Sequence, residues 1–203
     1  MIAYYRILLS VILTLAVIIV SCKKDDEKEP EIPPTKYEVV KVETGVGNFM
    51  IWLYDVTPLH KNNFLTLTGQ GFYDSLLFHR VKYDFVIQGG DPEGTGYGGP
   101  GYTIPAEIID TMHHKYGSVG AARLGDDYNP DRESNGSQYY IVCDPDGEPF
   151  LDGKYTVFGQ LMEGNDVLHK IGKVKVVGEK PAETVYIRKM RILKDIATAK
   201  PGK

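Results

Sequence analysis

From residue 37 onward the chain is broken into short runs rich in β-branched and aromatic residues, closed off by glycine, proline, asparagine or aspartate. That punctuation suits strands joined by turns. Val39, Lys41 and Glu43 alternate with Val40, Val42 and Thr44; Gly45-Val46-Gly47-Asn48 then supplies a turn before Phe49-Met50-Ile51-Trp52-Leu53-Tyr54. Two such runs around a glycine-containing loop predict a β-hairpin. Further strands are predicted at 76–81, 85–88, 118–122, 139–143, 155–161 and 186–193. Thr57-Pro58 reads as an N-cap followed by proline at the first helical position, opening a helix through Asn62, Asn63, Phe64, Leu65 and Leu67 that stops near Gly69 or Gly71. A second helix is predicted at 165–171. Strands and helices do not alternate in βαβ fashion, so the pattern favours a mainly β fold: a closed antiparallel barrel of about eight strands with two capping helices. A barrel of that size is filled by its own side chains, which places any binding site on the outer face.

With 42% hydrophobic and 25% charged residues, the 203-residue chain supports one globular domain plus an appendage. A unit of ~150 residues buries enough surface to stand without disulfides. Only Cys22 and Cys143 are present, so no disulfide framework is indicated. The net charge of −4, with 23 dispersed basic residues, argues against nucleic acid as a partner.

Residues 1–21 read as a secretory signal: Arg6 precedes an almost unbroken apolar run over 7–20 that ends at Ser21-Cys22-Lys23-Lys24. The run is short of the ~20 residues of a spanning helix, although a one-pass anchor is the competing reading. Ile19-Val20-Ser21-Cys22 resembles a bacterial lipobox, in which the cysteine is acylated and becomes the first mature residue. That implies lipid on Cys22, no pairing with Cys143, and a charge of −4 − 1 = −5 once Arg6 is removed. Two or more acyl chains anchor stably where one is marginal. Residues 22–36, charged and proline-rich, predict a disordered tether, followed by a folded domain at 37–195 and a flexible tail at 196–203. The expectation is an exported, membrane-anchored lipoprotein of a diderm bacterium, at the outer membrane. Lys24-Asp25-Asp26 resembles a surface-export signal, and both a periplasmic and a surface-facing orientation stay open.

The densest motif is Phe78-His79-Arg80-Val81 followed by Phe85-Val86-Ile87-Gln88-Gly89-Gly90-Asp91. After it come Asn135-Gly136-Ser137-Gln138-Tyr139-Tyr140-Ile141, then Phe150-Leu151-Asp152-Gly153-Lys154, then Val157-Phe158-Gly159. With the Gly47-Asn48-Phe49 hairpin and the Thr57-Pro58 helix, these blocks resemble the cyclophilin family of peptidyl-prolyl cis–trans isomerases over roughly residues 37–194. The resemblance implies a monomeric enzyme, independent of cofactor and metal, that assists folding by rotating X–Pro bonds in proline-containing polypeptides. The barrier to that rotation is ~18–20 kcal/mol because amide resonance must be broken. Lowering it requires an apolar grip on the proline ring and a donor to the amide nitrogen, whose lone pair localises as the bond twists.

By the same resemblance the catalytic residues are Arg80, Phe85 and Gln88, with Arg80 the donor and Gln88 orienting it. Phe85, Val86, Tyr140 and Leu151 form the proline pocket, with Phe150 and Tyr155 at its rim. Ala122, the backbone of Arg123, and Gln138 line the groove for residues preceding proline. His79 lies beside them, either touching substrate or satisfying a backbone carbonyl. The chain departs from common relatives at Val86, where methionine is usual, at Tyr140 (phenylalanine), at Phe150 (tryptophan in many eukaryotic members) and at Arg123 (asparagine). The Tyr140 hydroxyl therefore needs a partner, and cyclosporin should bind weakly without the indole.

Other motifs are set aside. Gly94-Thr95-Gly96-Tyr97-Gly98-Gly99 spells a dinucleotide fingerprint, but Pro100, Gly101 and Pro105 forbid the helix it needs. The acids Asp126, Asp127, Asp131 and Glu133 in the long loop 124–134 read as a solvated surface rather than a calcium site. His113-His114, as neighbours on a strand, would point to opposite faces and so not share a metal. Cys143 reads as a small buried hydrophobe. Besides an active isomerase, the residues admit a proline-segment binding module or holdase and a surface adhesion protein that inherits the fold. Arg80, Phe85 and Gln88 together favour the first; Val86 and Tyr140 are what keep the second open.

Overall fold

The computed structural model describes residues 36–197. The expected signal peptide, the lipidated Cys22, the tether up to residue 35 and the tail from residue 198 lie outside the described residues. Residues 196 and 197, expected in the tail, instead end the last strand.

Strands β1 (Lys36–Thr44) and β2 (Gly47–Leu53) form the expected hairpin. Its turn is tighter than predicted, with Thr44 paired to Gly47. The Thr44 hydroxyl closes it, accepting from the Val46 N–H at 3.2 Å and donating to the Gly47 carbonyl at 2.6 Å. Helix α1 (Pro58–Gly69) follows, then β3 (Arg80–Lys82), β4 (Val86–Gly89), β5 (Thr103–Ile104), β6 (Ser118–Ala121), β7 (Ser134–Asn135) and β8 (Tyr139–Val142). A 3-10 turn (Pro149–Leu151) leads to β9 (Val157–Glu163), α2 (Asn165–Gly172), β10 (Val176–Val177), β11 (Lys180–Pro181) and β12 (Ile187–Ala197). Two small ribbons, β5–β7 and β10–β11, are additional to the predicted strands.

The main sheet has eight antiparallel strands in the order β12-β1-β2-β9-β6-β8-β4-β3. It does not close into the predicted barrel. Its end strands β3 and β12 form no ladder; the segment before β3 meets the start of β12 through one bridge, Leu77 to Tyr186, and hydrogen bonds of residues 75–78 with 185–187. The reason is local. β3 is three residues long, and its free edge is met by the turn of the β10–β11 ribbon, where the Val81 N–H donates to the Glu179 carbonyl at 2.7 Å. The result is an open half-barrel.

Strand alternation gives this sheet two apolar faces. On β8, Tyr139 and Ile141 point inward while Tyr140 and Val142 belong to a second cluster on the other side. The inner core joins them to Phe49, Ile51, Phe78, Ile87 and Val119 under both helices. Phe64 of α1 meets the rings of Tyr73, Tyr139 and Phe158 at 5.0, 5.3 and 5.4 Å. Cys143 is buried in this core, and burial pushes its thiol up to about 11.

Thr57 stands at the N-cap position of α1 but makes no capping bond. It is fully buried and its hydroxyl donates to the Tyr54 carbonyl instead. The cap comes from Glu107, whose carboxylate accepts from the Leu59 and His60 N–H groups at 3.0 and 2.9 Å and meets His60 Nδ1 at 2.6 Å. A carboxylate at a helix N-terminus satisfies orphan donors and complements the dipole.

Candidate active site

The outer face of β3, β4 and β8 carries a chain of side-chain amides ending at a guanidinium. Register pairs Arg80 with Gln88 across β3–β4, and Gln88 with Tyr140 across β4–β8. Arg80 Nη1 donates to Gln88 Oε1 at 3.1 Å, and Gln88 Nε2 donates to Gln138 Oε1 at 2.9 Å. Gln138, 4% exposed, donates in turn to the Gly96 and Gly98 carbonyls at 3.0 and 2.7 Å. Amide roles are therefore fixed at each link, because backbone carbonyls can only accept.

The loop supplying those carbonyls is itself held by Asp91. Its carboxylate accepts from the N–H groups of Glu93 (2.8 Å), Thr95 (2.8 Å) and Gly96 (2.5 Å). Burial alone pushes the Asp91 carboxyl up, but the N–H groups of Glu93, Gly96 and Thr95 outweigh it and hold the group below its usual range. The glycine-rich run thus spends its donors on an internal carboxylate and serves Gln138, not a phosphate.

Beside the amide chain lies the second apolar cluster: Val86, Tyr140, Val142 and Leu151, with Phe85, Ala122 and Tyr155 packed against it. Phe150 is 57% exposed and stacks on Phe85, centroids 5.8 Å apart at 13°. The Arg80 guanidinium and Lys82 ammonium lie 5.6 and 5.0 Å from the Phe85 ring centre. Every expected pocket residue is brought together here, and Val142 joins them. Arg80 is further held by Glu179, which accepts from Nε at 2.5 Å. Glu179 was not predicted, being 99 residues away from Arg80 in the chain.

Arg123 contributes more than backbone. Its guanidinium lies 4.5 Å from the Tyr155 ring centre, donates to the Lys154 and Leu124 carbonyls, and pairs with Asp126 at 2.6 Å. Arg132 reaches the same Asp126 and the Gly153 carbonyl. The 124–134 loop is therefore tied down as one wall of a groove of about 410 Å³ lined by Gln88, Tyr97, Ala122, Arg123, Tyr128 and Gln138. Two of its acids serve such contacts: Asp126 as above, and Glu133 by accepting the Thr103 hydroxyl at 2.6 Å. Among the described residues no group of three or more His, Cys, Asp or Glu side chains is placed to hold a metal ion.

His79 is 7% exposed and lines a separate hollow with Arg80, Thr95, Gly96 and Glu179. Among the described residues neither ring nitrogen has a partner, so it satisfies no backbone carbonyl there. Burial, opposed by Asp91 and assisted by Arg80, lowers its pKa. His113 and His114 behave unlike the prediction. They are not on a strand, and both Nδ1 atoms meet one carboxylate, Asp152, at 2.8 and 2.7 Å. The partner that Tyr140 requires is His114, whose Nε2 lies 2.8 Å from the hydroxyl.

A family model described as cyclophilin type peptidyl-prolyl cis-trans isomerase/CLD matches residues 39–192. The chain belongs to the cyclophilin family. It is similar to peptidyl-prolyl cis-trans isomerase-like 1 of Neurospora crassa, at 40% identity over 77% of this chain and 94% of that one. It is 42% identical to a peptidyl-prolyl cis-trans isomerase of Helicobacter pylori, over 74% of this chain and 88% of the other. The crystal structure of a Cryptosporidium parvum cyclophilin superposes with a TM-score of 0.72 at 30% identity, covering 77% of this chain and 98% of that one. This cyclophilin is accordingly a peptidyl-prolyl cis–trans isomerase, acting on proline-containing polypeptides without a cofactor.

Proposed function

We propose that this cyclophilin rotates X–Pro bonds of exported proteins on the outer face of β4 and β8, and that lipid on Cys22 anchors it to a membrane. The observation carrying the catalytic part is the Arg80–Gln88–Gln138 chain, with hydrogen bonds of 3.1 and 2.9 Å, running beside the Phe85–Val86–Tyr140–Leu151 pocket. An arginine has five N–H donors, and those on Nη2 remain for a substrate after Glu179 takes Nε and Gln88 takes one on Nη1.

The proline ring enters the apolar cluster, and the guanidinium meets the amide nitrogen as its lone pair localises. That bond strengthens only as resonance is lost, so it lowers the barrier without tightening the planar ground state. Gln88 fixes the guanidinium plane, and Gln138 fixes Gln88. Phe85, between the cation and the pocket, aligns the two. The peptide preceding proline follows the groove along Ala122, Arg123 and Gln138. A second structure of the Cryptosporidium parvum cyclophilin was determined in the presence of the dipeptide Ala-Pro, which makes a short Ala-Pro peptide a suitable probe.

Arg80→Ala in a cis–trans assay on that peptide should lower kcat by ~10²–10³-fold, the cost of losing one donor aimed at developing charge. Equal, near-background rates for wild type and variant would overturn the catalytic assignment. The export reading is supported by residues 1–22. Cys22→Ala should move the protein out of the membrane fraction, and protease shaving of intact cells distinguishes a surface-facing tether from a periplasmic one.

A further inference from the structure

The Tyr140 ring in the apolar cluster is hydrogen-bonded to groups outside that cluster. Tyr140 is 5% exposed, and its hydroxyl lies 2.8 Å from His114 Nε2. His114, 2% exposed, sets Nδ1 2.7 Å from Asp152 Oδ1, and its own backbone N–H donates to the same oxygen at 2.8 Å. The imidazole and phenol rings are nearly parallel, at 15° with centroids 5.9 Å apart. Room for the phenol end exists because Gly120 faces Tyr140 across β6–β8: a Cβ there would collide with Tyr140 Cζ and the hydroxyl.

Hydrogen-bond chemistry fixes the protons. Asp152 carries a carboxylate: burial raises its pKa, but the His114 backbone N–H and both imidazoles outweigh this and hold it low. A carboxylate only accepts, so His114 donates from Nδ1, which leaves Nε2 of the neutral ring as an acceptor. Burial pushes the Tyr140 phenol well above its usual range, so it stays protonated and donates. The line is Tyr140 O–H to His114 Nε2, and His114 Nδ1–H to Asp152.

Resting on the reading of this cluster as the proline pocket, we propose that His114 and Asp152 are positioning residues that lock the Tyr140 ring as the pocket floor, and that neutral His114 is the competent form. Asp152 also follows directly after the 3-10 turn that presents Phe150 and Leu151, so one carboxylate aligns floor and wall together. Protonating His114 reverses its Nε2 from acceptor to donor. The buried tyrosine proton then loses its acceptor, and the ring shifts out of register with the proline. Burial lowers the His114 pKa against the opposing pull of Asp152. The loss of activity therefore comes as pH falls through a value below the ordinary ~6.5.

Bond rotation moves no proton, so a titrating KM reports a positioner. The charged and titratable groups around the pair are Asp152, His113 on the other Asp152 oxygen, and Tyr155 and Arg123 beside Tyr140. Glu148 meets His114 through its backbone N–H. Among the described residues, neither His113, which bonds to Asp152, nor His79 bonds to Tyr140.

The test is kinetic on an Ala-Pro peptide, using the full chain, with urea unfolding as a check on folding. His114→Leu should raise KM about tenfold, equivalent to ~1.4 kcal/mol, with kcat within about twofold of wild type, the pattern of lost uniform binding. His114→Gln, which keeps an acceptor, should restore most of it. In a Tyr140→Phe background, His114→Leu should change KM little, and the acid limb of the KM profile should vanish. An effect of His114→Leu that is equal in both backgrounds, or an acid limb that survives Tyr140→Phe, overturns the proposal. Arg80→Ala run alongside separates the cases: if it keeps wild-type activity, the reading of the site has failed rather than the positioning.

Discussion

Asp91→Asn changes one atom at the root of the site. Asp91 is 1% exposed; Oδ1 serves the Glu93 N–H at 2.8 Å, while Oδ2 serves Thr95 at 2.8 Å and Gly96 at 2.5 Å. An asparagine turned to keep Thr95 and Gly96 directs its NH₂ at the Glu93 N–H, so one bond becomes a donor–donor contact. A bond to a charged group is worth ~1.5–3 kcal/mol, and those that survive become neutral bonds about half as strong. No longer burying a charge offsets part of the loss. The net is about 2–4 kcal/mol, which leaves a domain of ~5–15 kcal/mol folded. With a urea m-value of ~1–3 kcal/mol/M the unfolding midpoint falls by roughly 1 M or more. The loop carbonyls that hold Gln138 then loosen, and through Gln88 the guanidinium loses its fixed plane. kcat/KM on an Ala-Pro peptide should fall about tenfold, equivalent to ~1.4 kcal/mol. A midpoint unchanged within error, or a destabilised variant with full activity, refutes the linkage from Asp91 to Arg80. The pH dependence carries a definite sign. The folded carboxyl titrates below its unfolded value near ~3.9, so its stabilisation is present above that pH and is lost as pH falls through the folded value. The gap between wild type and variant should therefore persist at neutral pH and close only in acid.

Glu107→Ala removes the distant cap of α1 and should cost about 0.5–2 kcal/mol, read as a lower thermal midpoint with kcat/KM unchanged. Leu151→Ala opens the pocket wall; it should destabilise by up to ~2–5 kcal/mol and raise KM for the Ala-Pro peptide more than it lowers kcat. Cyclosporin should bind the wild-type protein weakly, and Phe150→Trp should tighten it by at least about tenfold, ~1.4 kcal/mol, in a direct binding assay. Nanomolar inhibition of the wild type contradicts this.

Much of the fold was legible because local pattern determines it. Alternating residues in β1, and the β-branched and aromatic runs of β2 and β8, disclose strands, and Thr57-Pro58 marks the start of α1, which ends at the first of the two glycines expected to stop it. The openness of the sheet was not legible, since it depends on whether three residues of β3 find β12 or the Glu179 turn. That Phe85, Val86, Tyr140, Phe150 and Leu151 gather on one face was legible through the blocks at 78–91, 135–141 and 150–154, which keep their spacing. Their supports were not. Glu107, Glu179 and Asp152 act across 47, 99 and 38 residues, and an acid in a loop reads the same whether it solvates or clamps. Tyr140 is the one usable clue to such a support, because a phenol in an apolar pocket demands a partner; His114 is not identifiable as that partner from sequence, where His113-His114 reads as part of a strand and the structure has none there.

A proline pocket on the outside of β4 and β8, as proposed here, sets the kind of client this enzyme can serve. No chamber has to be entered, and no chain end has to be threaded. A polypeptide of any length can be approached sideways, with a proline in mid-chain pressed into the cluster while the flanking residues run off in both directions. What a client must offer is a few extended residues around that proline, clear of its own folded surface. The enzyme is thereby selective for timing: a proline segment is a substrate while it is loose and ceases to be one when the client packs it away.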